Sequence, residues 1–187
     1  MALASLKTIV LDRDGVINQD SVGYVKSNEE WIPIDGSVEA IASLHSAGYR
    51  VLIATNQSGL ARELFDEYSL ARIHQKLCSI VEEAGGFVSG IFYCPHSPDD
   101  NCACRKPRTG LLEQAEKEFG CSLTGSYFVG DSLRDLLAGK AFGMRPVLVR
   151  TGNGLATIRK LKGTDLEDVP IFDDLLSATQ NILSIIE

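Results

Sequence analysis

The sequence contains no long hydrophobic segment and has fewer basic than acidic residues. A membrane-spanning helix needs roughly 20 consecutive apolar residues. No apolar segment in the 187-residue sequence approaches that length. The first seven residues lack the basic and apolar segments of a secretory signal, so we predict no signal peptide and a cytoplasmic location. The 18 basic and 25 acidic residues give a net charge of −7, which argues against nucleic-acid and membrane partners.

Apolar runs alternate with amphipathic segments, and no repeat or low-complexity tract interrupts them. The 44% hydrophobic content is typical of one globular domain, which we predict over residues 1–187. Strands are predicted at residues 8–11, 50–54, 90–93, 126–129, 146–149 and 169–172. Helices are predicted at residues 35–48, 69–84 and 109–119, with a closing helix after residue 173. This alternation predicts an α/β fold, a three-layer sandwich with a central, mostly parallel sheet.

The first predicted strand runs directly into the sequence Asp12-Arg13-Asp14-Gly15. Open α/β sheets bind ligands at the carboxyl ends of their strands. Alternation in an extended segment places Asp12 and Asp14 on one side, with Arg13 opposite. Two adjacent carboxylates repel each other unless a cation lies between them or one holds a proton. The pair therefore suits a divalent cation, or a nucleophile beside a proton donor, and an ordinary polar turn is the alternative.

Other polar segments leave the same predicted edge of the sheet. Thr55 and the Asn-Gln-Ser-Gly run at 56–59 form a cluster of hydrogen-bond donors that suits a phosphate or caps a following helix. Asp131 follows the fourth predicted strand and suits a magnesium site, with Asp135 in the next helical turn to orient its neighbours. The long loop at 19–33 either covers the site or is an ordinary surface connection.

Four soft metal ligands lie within residues 94–104, after the third predicted strand: Cys94, His96, Cys102 and Cys104. Three Cys and one His make a complete tetrahedral zinc set with no open position, so this predicted zinc loop is structural. Disulfide bonds are the alternative, although they are rare in the cytoplasm. No ligand role is predicted for the other cysteines and histidines, which are Cys78, Cys121, His45 and His74.

Three cations follow the zinc loop at once, at Arg105, Lys106 and Arg108. They stand out in an acidic chain, and a metal-fixed loop would hold them in place as a phosphate-binding arm. A solvated basic turn is the alternative interpretation.

In this order, the clusters resemble the haloacid dehalogenase superfamily of phosphotransferases over nearly the whole chain. The family's four motif positions are filled by Asp12-x-Asp14, Thr55, Lys106 and Gly130-Asp131-x-x-x-Asp135. The zinc loop and the Arg-Lys-Pro after it add a resemblance to the family's zinc-loop phosphatases. The resemblance implies a Rossmann-like haloacid dehalogenase fold with no large cap domain. It also implies a cytoplasmic, monomeric enzyme that uses Mg²⁺ and Zn²⁺ and removes the 7-phosphate of a heptose 1,7-bisphosphate on the way to lipopolysaccharide.

The resemblance also assigns roles to the candidate residues. Asp12 is the nucleophile that forms an aspartyl-phosphate, and Asp14 is the general acid and base. Thr55 and Lys106 stabilise the phosphoryl oxygens. Mg²⁺ is bound by Asp12, Asp131 and the backbone carbonyl of Asp14. The predicted substrate-binding residues are Arg13, Asp20, Tyr24, Asn56, Gln57, Ser58, Arg105 and Ser132.

Among these, Arg105 is predicted to hold the sugar or its second phosphate, since a guanidinium suits a phosphate.

Histidinol-phosphate phosphatase is an alternative, with the same chemistry and a related zinc loop. A non-enzymatic phospho-acceptor or zinc-binding module is an alternative of another class. The chain departs from the family pattern at Ser132, where some members carry lysine, and at Glu63, where a small residue is common. The zinc loop is also short, with five residues between His96 and Cys102.

Overall fold

Six parallel strands form one sheet in the computed structural model, which describes residues 7–185. The strands are β1 (Lys7–Leu11), β2 (Tyr49–Asn56), β3 (Val88–Cys94), β4 (Tyr127–Gly130), β5 (Arg145–Val149) and β6 (Ile171–Phe172). The helices are α1 (Ser37–Ser46), α2 (Glu67–Glu83), α3 (Gly110–Phe119), α4 (Leu133–Ala141), α5 (Gly154–Leu161) and α6 (Leu175–Ser184). The sheet order is β3-β2-β1-β4-β5-β6, and every neighbouring pair is parallel. The predicted α/β architecture is confirmed. The prediction of no signal peptide rests on residues 1–7, and residues 1–6 lie outside the part of the chain that the structure describes.

Helices cover both faces of the sheet because the central strands are apolar on both sides. In β1, Ile9 and Leu11 belong to the core shared with α1, α2 and α6, whereas Val10 belongs to the core shared with α3 and α4. All three side chains are at most 1% exposed. A strand buried on both faces forms a continuous apolar run, which is the pattern of a parallel sheet.

The topology places the expected ligand-binding crevice at the carboxyl end of β1. From β1 the sheet extends to β2 and β3 on one side and to β4, β5 and β6 on the other. The crevice at such a switch of direction is where open α/β sheets bind ligands. Asp12 follows β1 and Asp131 follows the adjacent β4, so the fold itself brings the two predicted acids together.

Element boundaries agree with the predictions to within a few residues, except that α5 is not predicted and the segment after β2 differs. Residues 56–59 do not cap a helix, because irregular turns continue to α2, whose N-cap is Asp66. The Asp66 side chain accepts from the Ser69 backbone N–H at 2.8 Å. Glu63 lies in these turns with φ 55°, a left-handed conformation that costs a residue with a Cβ roughly 1 kcal/mol. Glycine alone would avoid this cost.

The connection between β1 and α1, residues 12–36, is anchored at one end and open at the other. Trp31 is fully buried, and Lys76 on α2 donates to the backbone carbonyls of Asn28 and Trp31 at 2.7 and 2.9 Å. Residues 20–25 extend instead along the carboxyl edge of the sheet. Over residues 7–185, no separate folding unit covers this edge. In the same part of the chain, no helix has the length and apolar character to cross a membrane.

Candidate active site

Lys106 is the central positive charge at the carboxyl edge of the sheet. Its side chain is 2% exposed, and its Nζ forms ion pairs with Asp12 Oδ1 at 2.8 Å and Asp135 Oδ1 at 2.6 Å. The same Nζ donates to the Ala54 carbonyl at 2.7 Å. Burial lowers the pKa of Lys106, but the two carboxylates outweigh burial and raise it above its ordinary value. Lys106 is therefore a fixed cation.

Three buried carboxylates surround this one ammonium. Asp12, Asp131 and Asp135 each place a carboxylate oxygen within 4.8 Å of the others. Burial, followed by the charge of Asp135, raises the pKa of Asp12 well above its ordinary value and the pKa of Asp131 to about 6. Three acids with one lysine leave an excess of negative charge, which is the environment that a divalent cation fits.

Two glycines make room for the Asp131 carboxylate. A Cβ at Gly15 or at Gly152 would collide with Asp131 Oδ2, and both glycines have a left-handed backbone with φ 82° and 56°. Asn153 donates to the same oxygen from its backbone N–H at 2.7 Å and from its Nδ2 at 3.1 Å. The protein therefore fixes the orientation of this acid by itself. Asn153 has no predicted role, although it follows β5 at the same sheet edge, and that position is the signal that points to it.

Asp14 has a different environment from the other three acids. Arg13 donates to both of its oxygens from Nη2 at 2.9 Å, and Asn18 and Gln57 add hydrogen bonds at 2.9 and 2.8 Å. Burial raises the pKa of Asp14, but Arg13 and these hydrogen bonds outweigh burial and hold the pKa below its ordinary value. The prediction that Arg13 points away from Asp14 is wrong, because β1 ends at Leu11 and strand alternation ends with it.

Two amides that are predicted to bind substrate connect candidate catalytic residues in this structure. Asn56 exchanges two hydrogen bonds of 3.1 Å with the backbone N–H and carbonyl of Lys106. Gln57 Nε2 donates to Thr55 Oγ1 at 2.9 Å as well as to Asp14. Since Thr55 Oγ1 accepts from Gln57, the hydroxyl hydrogen of Thr55 is free to point elsewhere. These amides hold the end of β2, the Lys106 backbone and Asp14 in one arrangement.

Ser132 also bonds within the protein. Its Oγ and its backbone N–H donate to Asp135 Oδ2 at 2.6 and 3.0 Å, in a capping box at the start of α4. Because the other oxygen of Asp135 contacts Lys106, Asp135 orients its neighbours as predicted. Four predicted substrate-binding side chains thus have partners inside the protein: Arg13, Asn56, Gln57 and Ser132.

An open cavity of about 360 Å³ lies over these acids. Residues 20–25 form part of its wall, so the loop after β1 lines the site rather than connecting elements elsewhere on the surface. Tyr24 Oη lies 3.4 Å from Ser58 Oγ, and Asp20 Oδ2 accepts from Asn153 Nδ2 at 2.9 Å. The predicted residues Asp20, Tyr24 and Ser58 therefore all line the cavity.

Three arginines also line the cavity: Arg62, Arg105 and Arg134. Arg105 Nη1 donates to the His96 carbonyl at 3.1 Å. None of the three guanidinium groups forms an ion pair with an acid of residues 7–185. Sequence alone does not single out Arg62 or Arg134, because one basic residue in a turn or a helix has no distinguishing pattern.

The predicted zinc ligands form a second cluster beside this cavity: Cys94, His96, Cys102 and Cys104. The three sulfurs lie 3.3 to 3.6 Å apart, and His96 Nδ1 lies 3.7 and 3.3 Å from the sulfurs of Cys94 and Cys104. All three cysteines are free thiols, whereas a disulfide needs an S–S distance of about 2.05 Å. The separations are close to the edges of a tetrahedron with Zn–S bonds of about 2.3 Å. The cluster is compatible with zinc, and the disulfide alternative does not hold in this structure.

Comparison with known proteins gives one consistent result. A family model described as HAD-hydrolase-like matches residues 103–178. The D-glycero-beta-D-manno-heptose-1,7-bisphosphate 7-phosphatase of Pseudomonas aeruginosa is 49% identical over 179 residues, covering 96% of this chain and 99% of the relative. The enzyme of the same name from Neisseria meningitidis is 48% identical over 95% of both chains.

A solved structure shows the same similarity in three dimensions. The crystal structure of D,D-heptose 1,7-bisphosphate phosphatase from B. bronchiseptica, complexed with magnesium and phosphate, matches with a TM-score of 0.91 and 47% identity. The match covers 96% of this chain and 99% of that chain. The resemblance inferred from the motifs is confirmed: the chain belongs to the haloacid dehalogenase-like hydrolases, in the family that includes these heptose-bisphosphate phosphatases.

Proposed function

We propose that the chain is a Mg²⁺-dependent phosphatase that removes the 7-phosphate of D-glycero-D-manno-heptose 1,7-bisphosphate through an aspartyl-phosphate intermediate. The observation that carries this proposal is the contact of Asp12 with the buried ammonium of Lys106, beneath an open cavity with excess negative charge. The names of the relatives and the magnesium and phosphate in the B. bronchiseptica structure support it. The product serves ADP-heptose and lipopolysaccharide core synthesis, and the proposed location is the cytoplasm.

The proposed Mg²⁺ ligands are Asp12, Asp131 and the backbone carbonyl of Asp14. The donors are all oxygen, and they are few enough to leave positions for water and phosphate oxygens, as Mg²⁺ prefers. Burial, and after it the charge of Asp135, raises the pKa of Asp12 and of Asp131, and a bound cation would favour the ionised form of both acids. When bound, Mg²⁺ neutralises the repulsion between the carboxylates and the incoming phosphate.

Asp12 is the proposed nucleophile. Its Oδ1 accepts from the Arg13 backbone N–H at 2.7 Å and from Lys106 Nζ at 2.8 Å, which fixes the carboxylate. An Asp12 oxygen attacks the phosphorus, so that a new O–P bond forms while the bond to the sugar oxygen breaks. Lys106 and the hydroxyl of Thr55 stabilise the charge on the phosphoryl oxygens during both steps.

Asp14 is the proposed general acid and base. It protonates the departing sugar oxygen and then removes a proton from the water that hydrolyses the aspartyl-phosphate. The lowered pKa of Asp14 keeps it ionised in the resting enzyme, which suits the second step. For the first step it must carry a proton, and the approach of a phosphate anion favours this because a nearby negative charge raises a carboxyl pKa.

We further propose that Cys94, His96, Cys102 and Cys104 bind one structural Zn²⁺. Four ligands complete a tetrahedral zinc, so this ion has no open position for water or substrate. Its proposed role is to hold the loop that leads into Arg105 and Lys106. The proposed working unit is a monomer.

The arginines distinguish the two candidate substrates. A heptose bisphosphate brings a second phosphate, whereas histidinol phosphate brings a cationic amine at the end away from its phosphate. Arg62, Arg105 and Arg134 line the cavity without acidic partners among residues 7–185. Guanidinium groups attract a second phosphate and repel an ammonium, and therefore the cavity favours the bisphosphate.

Phosphate release from a substrate panel tests this proposal. The panel contains heptose 1,7-bisphosphate, heptose 7-phosphate and histidinol phosphate, each assayed with and without Mg²⁺. We expect the highest kcat/KM on the bisphosphate and no turnover after removal of Mg²⁺ with a chelator. A higher kcat/KM on histidinol phosphate would select the other phosphatase, and absence of multiple turnover on all three would support a non-enzymatic module.

A further inference from the structure

His74, on α2, contacts the side chain that holds Asp14. Its Nε2 lies 3.3 Å from Arg13 Nη1, and its ring packs against Tyr93 with a centroid distance of 5.9 Å. The side chain of Arg13 is 1% exposed, so no solvent competes for this Nη1 group. The contact therefore joins a residue of the scaffold to a guanidinium at the edge of the active site.

The direction of this hydrogen bond follows from chemistry. A guanidinium has only donors, so His74 Nε2 must accept and the ring proton must reside on Nδ1. Burial, followed by the charge of Arg13, lowers the pKa of His74 to about 3. The imidazole is consequently neutral near pH 7, and it keeps a lone pair directed at Arg13.

We propose that His74 is a positioning residue for the general acid and base, acting through Arg13 on Asp14. Arg13 and Asp14 are neighbours in a segment beyond the end of β1, so their ion pair alone ties neither to the rest of the fold. Gln57 ties Asp14 to the end of β2, and His74 adds a second tie through Arg13. It fixes one Nη of Arg13 to a helix of 17 residues while the other Nη and Nε hold Asp14. This inference rests on the proposed function, and specifically on proton transfer by Asp14.

A structural role and a positioning role for His74 differ in their dependence on the leaving group. A sugar or other alkyl oxygen is a poor leaving group and needs the proton from Asp14, whereas p-nitrophenolate leaves without one. The parameter kcat/KM reports steps up to departure of the leaving group. Loss of positioning should thus lower kcat/KM for an alkyl phosphate much more than for p-nitrophenyl phosphate.

The test compares His74→Leu, His74→Gln and the wild-type chain on both kinds of substrate. For His74→Leu we expect kcat/KM on heptose bisphosphate to fall roughly tenfold or more, and on p-nitrophenyl phosphate to fall less than about threefold. His74→Gln keeps an acceptor for Arg13 and should recover most of the loss. Ile73→Val trims a buried neighbour on the same helix and is the matched control, which should affect both substrates equally.

Equal losses on the two substrates, or no loss on either, would overturn the positioning role. If His74→Leu does not fold, a comparison of His74→Gln with His74→Asn still tests the positioning role. The shorter asparagine side chain cannot reach Arg13 as glutamine does, so His74→Asn should show the selective loss and His74→Gln should not. If the wild-type chain does not hydrolyse heptose bisphosphate, the proposed substrate fails. The ratio measured on the best alkyl phosphate then still tests His74.

Discussion

The two candidate metal-ligand clusters of this molecule are built in opposite ways. The zinc-type cluster takes all four ligands from one loop, residues 94–104, and places its sulfurs 3.3 to 3.6 Å apart. The carboxylate cluster takes Asp12 from the end of β1 and Asp131 and Asp135 from the end of β4 and the start of α4. The first is a local feature of the sequence, and the second exists only because the sheet brings distant segments together.

The two clusters also differ in what they can do. A set of three thiolates and one imidazole satisfies a tetrahedral ion completely and leaves no position for a reactant. The carboxylate cluster supplies fewer ligands, contains a lysine, and faces an open cavity. The carboxylate cluster therefore suits catalysis, whereas the zinc-type cluster suits structural support. A set of substitutions can separate these two roles.

The largest effect is expected for Asp12→Asn. The amide keeps the size of the side chain but is a far weaker nucleophile, so kcat should fall by about 10⁴-fold or more. Zinc content should stay at one ion per chain, because Asp12 belongs to the other cluster. Steady-state phosphate release and metal analysis of the same preparation provide the measurement, and a kcat within about tenfold of the wild type would contradict a covalent mechanism.

A smaller but more specific effect is expected for Asp14→Asn. Asp12 can still attack, yet neither the leaving oxygen nor the hydrolytic water has its proton-transfer partner, so turnover should fall roughly 10²- to 10⁴-fold. Hydrolysis of the aspartyl-phosphate should be slowed most, and phosphoenzyme should accumulate. Acid quenching followed by intact mass measurement detects that species. Normal turnover of an alkyl phosphate would remove Asp14 from the acid and base role.

One cluster comes from a single loop and the other from segments far apart in the sequence. This difference also explains which features the sequence could predict. The zinc-type ligands and the strand-end acids Asp12 and Asp131 follow from spacing and from the rule that parallel strands end at one edge. The partners of the side chains do not follow from either. Gln57 bonds Thr55 and Asp14, which the sequence does not indicate, because only the folded edge brings these groups within hydrogen-bond distance.

Two of the contacts missed by sequence analysis join separate elements. His74 reaches Arg13 from α2, and Asn153 reaches Asp131 from the segment after β5. A single histidine or asparagine forms no periodic pattern and no spaced motif, so the sequence alone does not identify its role. Its role depends on tertiary structure, whereas the strands are detectable because burial imposes a pattern over several residues.

Cys102→Ser tests whether the supporting cluster acts on the catalytic one. The loop continues into Arg105 and Lys106, and a displacement of about 1 Å in a positioning group can cost on the order of 10²-fold in rate. We expect zinc loss, faster proteolysis within residues 94–104, and an activity loss of about that size that added Mg²⁺ does not restore. Cys121→Ser changes a cysteine outside the cluster and should keep zinc and activity. A zinc-free Cys102→Ser protein with full activity would show that the two clusters are independent.

The smallest effect is expected at the wall of the cavity, where Arg134→Ala tests the second phosphate. Arg134 lines the cavity but contacts neither cluster through an ion pair. Loss of one guanidinium–phosphate contact should raise KM for the heptose bisphosphate about tenfold, a change near 1.4 kcal/mol, while kcat stays close to the wild-type value.

The substrate comparison makes the test of Arg134 specific. Heptose 7-phosphate lacks the phosphate that Arg134 is proposed to bind, so its KM should not change in Arg134→Ala. Arg145→Ala removes an arginine at the start of β5, on the opposite edge of the sheet, and serves as the matched control for a change in net charge. A rise in KM that is equal for both substrates, or equal in Arg134→Ala and Arg145→Ala, would assign the effect to general electrostatics. A rise confined to the bisphosphate in Arg134→Ala would place the second phosphate at this wall, while the catalytic carboxylates and the zinc-type loop remain unaffected.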